Sequence, residues 1–149
     1  MRILGSYGVR EYVIDASIAI SALENNDAIG IAAAKRVAES TCHAPHLLDA
    51  EVGHVLRRRA RTGQITEHSA RTALAALPQM IDHRYPHTGQ FALLAWQLRH
   101  TITFHDGLYV ALATVLGVPL LTAESVYAVV VGVAICVYVP PLVVERLTL

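Results

Sequence analysis

The chain lacks most of the features that would place it outside the ordinary globular class. Its two cysteines, Cys42 and Cys136, form no CxxC pair. They are too few for a disulfide framework, so a reducing, cytoplasmic setting is expected. Charge is scarce as well, at 16% of 149 residues against about 25% in an average domain. Twelve Lys and Arg balance twelve Asp and Glu, so no global field advertises a polyanionic partner and any nucleic-acid contact has to be local. No repeat, low-complexity tract or linker interrupts the sequence. A single domain over residues 1–149 is expected, a size that buries roughly 70% of its unfolded surface. Residues 1–8 carry no apolar run of the length a secretory signal needs. The longest uncharged run, residues 125–144, is broken by Pro140-Pro141 and is rich in valine. It reads as β structure, with a last strand within residues 129–139, and not as a membrane helix.

What is present alternates. Tyr12-Val13-Ile14 is a short apolar run with the character of a buried strand, and residues 17–24 and 28–39 have helical spacing. His43-Ala44-Pro45 allows a short extended piece. Leu48, Val52, Val55 and Leu56 form the stripe of an amphipathic helix ending near Gly63. A further helix runs from Thr66 to Leu77, with Pro78 as its stop, and Phe91, Leu94, Ala95 and Leu98 mark the next. From Asp106 the run Leu108-Tyr109-Val110-Ala111-Leu112-Ala113 is apolar on every side and predicts a buried helix stopped by Gly117 and Pro119. Leu120-Leu121-Thr122 predicts a second short buried strand. Such alternation implies an α/β domain with a mostly parallel sheet between helices.

Four acids fall where this architecture places its chemistry, at the carboxyl ends of the strands. Asp15 closes the first strand, Glu124 follows Leu120-Leu121-Thr122 by two residues, and Glu51 and Asp106 lie in the expected first turns of two helices. Carboxylates gathered without a cationic partner raise one another's pKa, and an oxygen-only set suits Mg²⁺ or Mn²⁺. Two such ions can activate water and stabilise the leaving oxygen of a phosphodiester. Position alone leaves a second reading open, in which Asp15 and Asp106 cap helices and Glu51 and Glu124 are solvated residues that complement the helix dipoles.

Four ordered segments decide the direction of the argument: Val13-Ile14-Asp15-Ala16-Ser17, Pro45-His46-Leu47-Leu48-Asp49-Ala50-Glu51-Val52, residues 103–113 around Asp106, and Pro119-Leu120-Leu121-Thr122-Ala123-Glu124. Together they resemble the motifs of PIN domains, above all of VapC-type toxins of toxin–antitoxin pairs, from about Glu11 to Glu124. The resemblance implies a three-layer α/β/α sandwich with a central, mostly parallel sheet. It also implies a Mg²⁺- or Mn²⁺-dependent endoribonuclease acting on structured RNA such as tRNA or rRNA. Carried over by motif, Asp15, Glu51, Asp106 and Glu124 become the catalytic, metal-binding acids, with Ser17 supporting the first. A VapB-type antitoxin and a homodimer are implied as partners. Glu124 stands where the family usually has Asp, and Ser125-Val126-Tyr127-Ala128-Val129-Val130-Val131-Gly132 is apolar where a polar helix is usual. The alternative is therefore a degenerate PIN domain that binds RNA or antitoxin with little or no cleavage.

Arg57, Arg58, Arg59 and Arg61 are the dense basic cluster. Glu51 and Arg58 are close to two turns apart and share a flank with His54 and Arg61, so Arg57, Arg58 and Arg61 are candidate phosphate contacts, or else a solvated helix end. Arg59 falls within the apolar stripe and is expected to reach past the core. Trp96 lies off its helix stripe and fits an interface. Eight histidines accompany no paired CxxC and HxxxH set, so structural zinc is not expected.

Overall fold

A computed structural model describes residues 10–124 and 144–146. Its elements are β1 (Arg10–Ile14), α1 (Ala16–Glu24), α2 (Ala28–Ala38), β2 (Ser40–Pro45), α3 (Leu47–Arg61), α4 (Glu67–Met80), β3 (His83–Tyr85), α5 (Gln90–Gln97), α6 (Phe104–Leu116), β4 (Leu120–Thr122) and β5 (Val144–Arg146). The five strands form one sheet in the order β3-β2-β1-β4-β5, and every pairing is parallel. Helices α1 to α4 pack on one another and α5 packs on α6, with both groups against the strands. The expected α/β/α sandwich is what the chain adopts.

The winding places the site. From β1 the chain steps outward to β2 and β3, then returns to β4 on the opposite side of β1. The crevice at the carboxyl ends of β1 and β4 is thus the switch point at which open parallel sheets receive ligands. Val13 pairs with Leu120 and Ile14 with Leu121, so Asp15 and Thr122, the next residue of each strand, lie side by side. All four paired residues are fully buried, as consecutive apolar residues must be in a sheet covered on both faces. Helix α3 buries Leu48, Val52 and Leu56, each worth about 1.5–3 kcal/mol. Residues 107–114 of α6 are all buried. A Cβ added at Gly107 would stand 3.2 Å from the Cα, Cβ and carbonyl oxygen of Ala95, so the missing side chain lets α6 lie directly on the α5 backbone.

Several expectations are corrected. Strand β2 starts at Ser40, ahead of His43, and α4 runs through Pro78 to Met80. Proline stands there in the last turn, where it removes one backbone donor, and Arg84 donates to the carbonyls of Leu77 (3.4 Å) and Ile81 (3.3 Å) at that end. Strand β3 was not expected, because three residues of polar and aromatic type show no periodicity. Helix α6 begins two residues before Asp106, with Thr103 as its N-cap accepting from the Asp106 N–H at 3.1 Å. Asp106 is therefore not a cap. Because α3 begins at Leu47, its first-turn acid is Asp49, paired through both oxygens with Arg84, and Glu51 stands one turn further in. Arg59 does reach past the stripe, and its guanidinium pairs with Glu24. The strand expected within residues 129–139, the apolar stretch 125–132, Cys136 and residues 1–9 lie outside the described residues. Among the described residues no helix is long and apolar enough to cross a membrane.

Candidate active site

Asp15 ends β1 and caps α1. Buried to 3% exposure, its carboxylate is surrounded by donors. Oδ1 accepts from the Ser17 hydroxyl at 2.6 Å and the Ile18 N–H at 3.1 Å, and Oδ2 accepts from the Thr122 hydroxyl at 2.5 Å. Both hydroxyls also accept. The Ala123 N–H donates to Ser17 Oγ at 3.1 Å and the Glu124 N–H to Thr122 Oγ1 at 2.9 Å. A carboxylate has no proton to offer, so each hydroxyl must point its hydrogen at Asp15 and its lone pairs at the turn after β4. The turn that carries Glu124 is thereby tied to Asp15 through two bridges.

Glu51 comes from α3 and Asp106 from the first turn of α6, one helix from each layer. The Tyr109 hydroxyl, one turn beyond Asp106 and almost wholly buried, donates to Glu51 Oε1 at 3.0 Å. Asp15, Ala16, Ser17, Glu51, Asp106, Tyr109 and Glu124 line one pocket of about 330 Å³, and no Lys or Arg is among them. All four predicted acids and Ser17 are thus brought together. Arg57, Arg58 and Arg61 lie outside the lining, exposed along α3.

The electrostatics follow from this crowding. Burial holds the Asp15 carboxyl above its ordinary range, with Glu124 adding like-charge repulsion, against the opposing hydrogen bonds from Ser17, Thr122 and Ile18. Burial likewise raises Glu51, helped by Asp106 and Asp15 and opposed by the Tyr109 hydroxyl and His105. Cys42 is of another kind: burial, with Asp82 nearby, pushes its thiol up to about 12, against any role as nucleophile or ligand.

The donor set fits a hard divalent cation. Four carboxylates and no thiolate or imidazole line the pocket, and such a cation would relieve the strain on Asp15 and Glu51. As the side chains stand, no three His, Cys, Asp or Glu among the described residues converge on one point. A cation bound here would therefore complete its shell with water or substrate oxygens.

Two residues escaped sequence reasoning. Thr122 looks like the end of a buried strand, and only its register beside Ile14 and Asp15 marks it. Tyr109 looks like core, and the available signal is its spacing of three from Asp106, which puts both on one face of α6.

Comparison with known proteins gives the family and agrees with the fold. The PIN domain family matches residues 12–132. Ribonuclease VapC1 of Mycobacterium tuberculosis is 53% identical over 115 residues, covering 77% of this chain and 86% of that protein. VapBC2 from Rickettsia felis, solved bound to a DNA fragment from their promoter, superposes with a TM-score of 0.64 at 12% identity, over 93% of this chain and 99% of that one. VapC20 of Mycobacterium tuberculosis, a sarcin–ricin loop cleaving toxin, gives 0.61 at 19% identity, over 78% and 93%. At these identities the two structures speak for the fold.

Proposed function

Because the chain belongs to the PIN-domain family of VapC ribonucleases, we propose that it is the endoribonuclease toxin of a VapBC-type toxin–antitoxin pair, hydrolysing structured RNA with Mg²⁺ or Mn²⁺. The observation that carries the site is the single pocket lined by Asp15, Glu51, Asp106 and Glu124 without a basic side chain, at the sheet's switch point. A bound divalent cation supplies the charge that draws in the phosphodiester and acidifies water for attack. The chain's part is to hold four oxygen donors in place. Three donors fix Asp15, the turn tied to Ser17 and Thr122 presents Glu124, and α3 and α6 bring Glu51 and Asp106 from opposite layers.

Arg58 and Arg61, on the Glu51 flank of α3, and the neighbouring Arg57 would hold RNA phosphates leading away from the pocket. A VapB-type antitoxin and a second copy of the chain are the proposed partners. Exposed Leu93 (69%) and Trp96 (57%) on α5 offer apolar surface for one of them. The proposed location is the cytoplasm, where such an RNA target is found.

The test is incubation of the purified protein with structured RNA and Mg²⁺ or Mn²⁺, with and without EDTA, beside Asp106→Asn. Discrete fragments that vanish with EDTA and in the variant are expected. RNA that is bound but left intact would favour the degenerate domain, for which Glu124 in place of the family's usual Asp is the specific mark. Full cleavage by Asp106→Asn would overturn the assignment.

A further inference from the structure

Helix α6 contributes to the pocket twice. Asp106 lines it from the first turn, and Tyr109, one turn on, lines it with a hydroxyl aimed across to α3. The phenol ring sits among the buried apolar residues of α6, with 1% of its surface exposed. Its oxygen donates at 3.0 Å to Oε1 of Glu51, on the other helical layer. Glu51 itself is only partly buried, on a side chain with three rotatable bonds. Like-charged Asp15 and Asp106 face it, and repulsion would turn it out toward solvent. The Tyr109 hydroxyl, donating to its Oε1, holds it back.

We propose that Tyr109 is a positioning residue for the divalent cation: by engaging one oxygen of Glu51 it fixes the carboxylate's rotamer and leaves the second oxygen for the cation. This rests on the reading of the pocket as a cation site. The rigidity of α6 is part of the device. Gly107 lets α6 lie close against the Ala95 backbone of α5, and on that helix Asp106 and Tyr109 stand three residues, close to one turn, apart. One buried helix thus provides one acid and aims another. Partners of this outer kind typically contribute 10–100-fold to metal affinity or activity.

The experiment is Mn²⁺ binding to the full chain, followed by electron paramagnetic resonance of free Mn²⁺, for wild type, Tyr109→Phe, Glu51→Gln and the double variant. Phenylalanine removes one oxygen and no ring volume, and a thermal melt in EDTA confirms that each variant is folded. Tyr109→Phe is expected to weaken Mn²⁺ binding about tenfold and to move the Mg²⁺ midpoint of RNA cleavage equally. Because Tyr109 acts through Glu51, adding Tyr109→Phe to Glu51→Gln is expected to change Mn²⁺ affinity no further. Unchanged Mn²⁺ affinity in Tyr109→Phe, or full additivity in the double variant, overturns the proposal and leaves the pocket's assignment standing. A wild-type chain that binds no Mn²⁺ overturns both.

Discussion

Replacing Thr122 by valine removes one oxygen from the centre of the site and leaves its shape, and the consequences can be worked through from the bonds it makes. The hydroxyl donates to Asp15 Oδ2 at 2.5 Å and accepts the Glu124 N–H at 2.9 Å, from a fully buried position. A hydrogen bond to a charged group is worth about 1.5–3 kcal/mol and a neutral one about 0.5–1.5 kcal/mol. The second is partly recovered, since the Glu124 end of the turn is exposed and its amide can meet water. The expected loss is about 2–4 kcal/mol near neutral pH, a fall in Tm of roughly 5–15 °C at this chain length.

The loss should also depend on pH, with a definite sign. Burial already raises the Asp15 carboxyl, and the Thr122 bond is among the groups that pull it back. Without that bond the carboxyl rises further. A carboxyl with a raised pKa stabilises the fold below its unfolded value, about 3.9, and that contribution is lost as pH climbs through the folded value. Thr122→Val should therefore cost more at pH 7 than at pH 4, measured by thermal melts in EDTA. Thr122→Ser keeps the hydroxyl and should restore the pH dependence, at about 1 kcal/mol for the lost methyl. A displaced Glu124 should lower kcat/KM for RNA by about 100-fold in the valine variant. A loss below about 0.5 kcal/mol, or one equal at both pH values, would refute the bridging role.

Other perturbations separate stability from function. Glu51→Gln keeps an acceptor for Tyr109 and removes a charge that burial and neighbouring carboxylates disfavour. The metal-free protein should melt about 1–4 °C higher at pH 7, a gain of under about 1 kcal/mol after allowing for solvent screening. That gain should disappear below about pH 4, where Glu51 is itself protonated, while cleavage is abolished; a lower melting point at pH 7 would contradict the electrostatic account. Gly30→Ala places a methyl 2.7 Å from the Ser21 carbonyl oxygen at the α1–α2 crossing. Overpacking of about 1–3 kcal/mol less about 1 kcal/mol of helix propensity predicts a net cost of up to about 2 kcal/mol in urea denaturation, with kcat unchanged. Arg58→Ala and Arg61→Ala should each raise KM for RNA and reduce the salt slope of binding by about 0.7–0.9, and a salt slope equal to wild type would remove that arginine from the RNA path.

The parts of this molecule legible in the sequence are those whose signal is local. A strand ended by Asp15 and followed by Ser17, the stripe Leu48, Val52, Leu56, and the all-apolar run after Asp106 each state their environment within a dozen residues. What was illegible depends on residues far apart. Thr122 meets Asp15 across 107 positions and Tyr109 meets Glu51 across 58; nothing near Thr122 distinguishes it from core, and only its spacing from Asp106 distinguishes Tyr109. Strand β3 is an edge of three residues held by pairing with β2, and pairing partners are tertiary facts. Pro78 misled for a related reason. The rule that proline stops a helix concerns the lost donor and the clash one turn back, and it does not foresee Arg84, which caps that end while also pairing with Asp49.

A pocket of four carboxylates without a lysine or arginine needs something to keep it anionic before any cation arrives, and the fold supplies dipoles instead of charges. Asp15 is the N-cap of α1, Asp106 lies in the first turn of α6, and Glu51 is one turn into α3. Two helix amino ends therefore meet the acids, at Asp15 and Asp106, each worth about 0.3–1 kcal/mol to a nearby negative charge. A buried basic side chain would neutralise the acids permanently and compete with a divalent cation for the same oxygens. Helix ends and hydroxyl donors such as Ser17 and Thr122 are weaker, so the carboxylates stay avid. The same amino ends also favour an incoming phosphate. Placing acids on helix starts thus makes one small pocket tolerable to its own charge, receptive to a cation and receptive to the anionic backbone that the cation would act on.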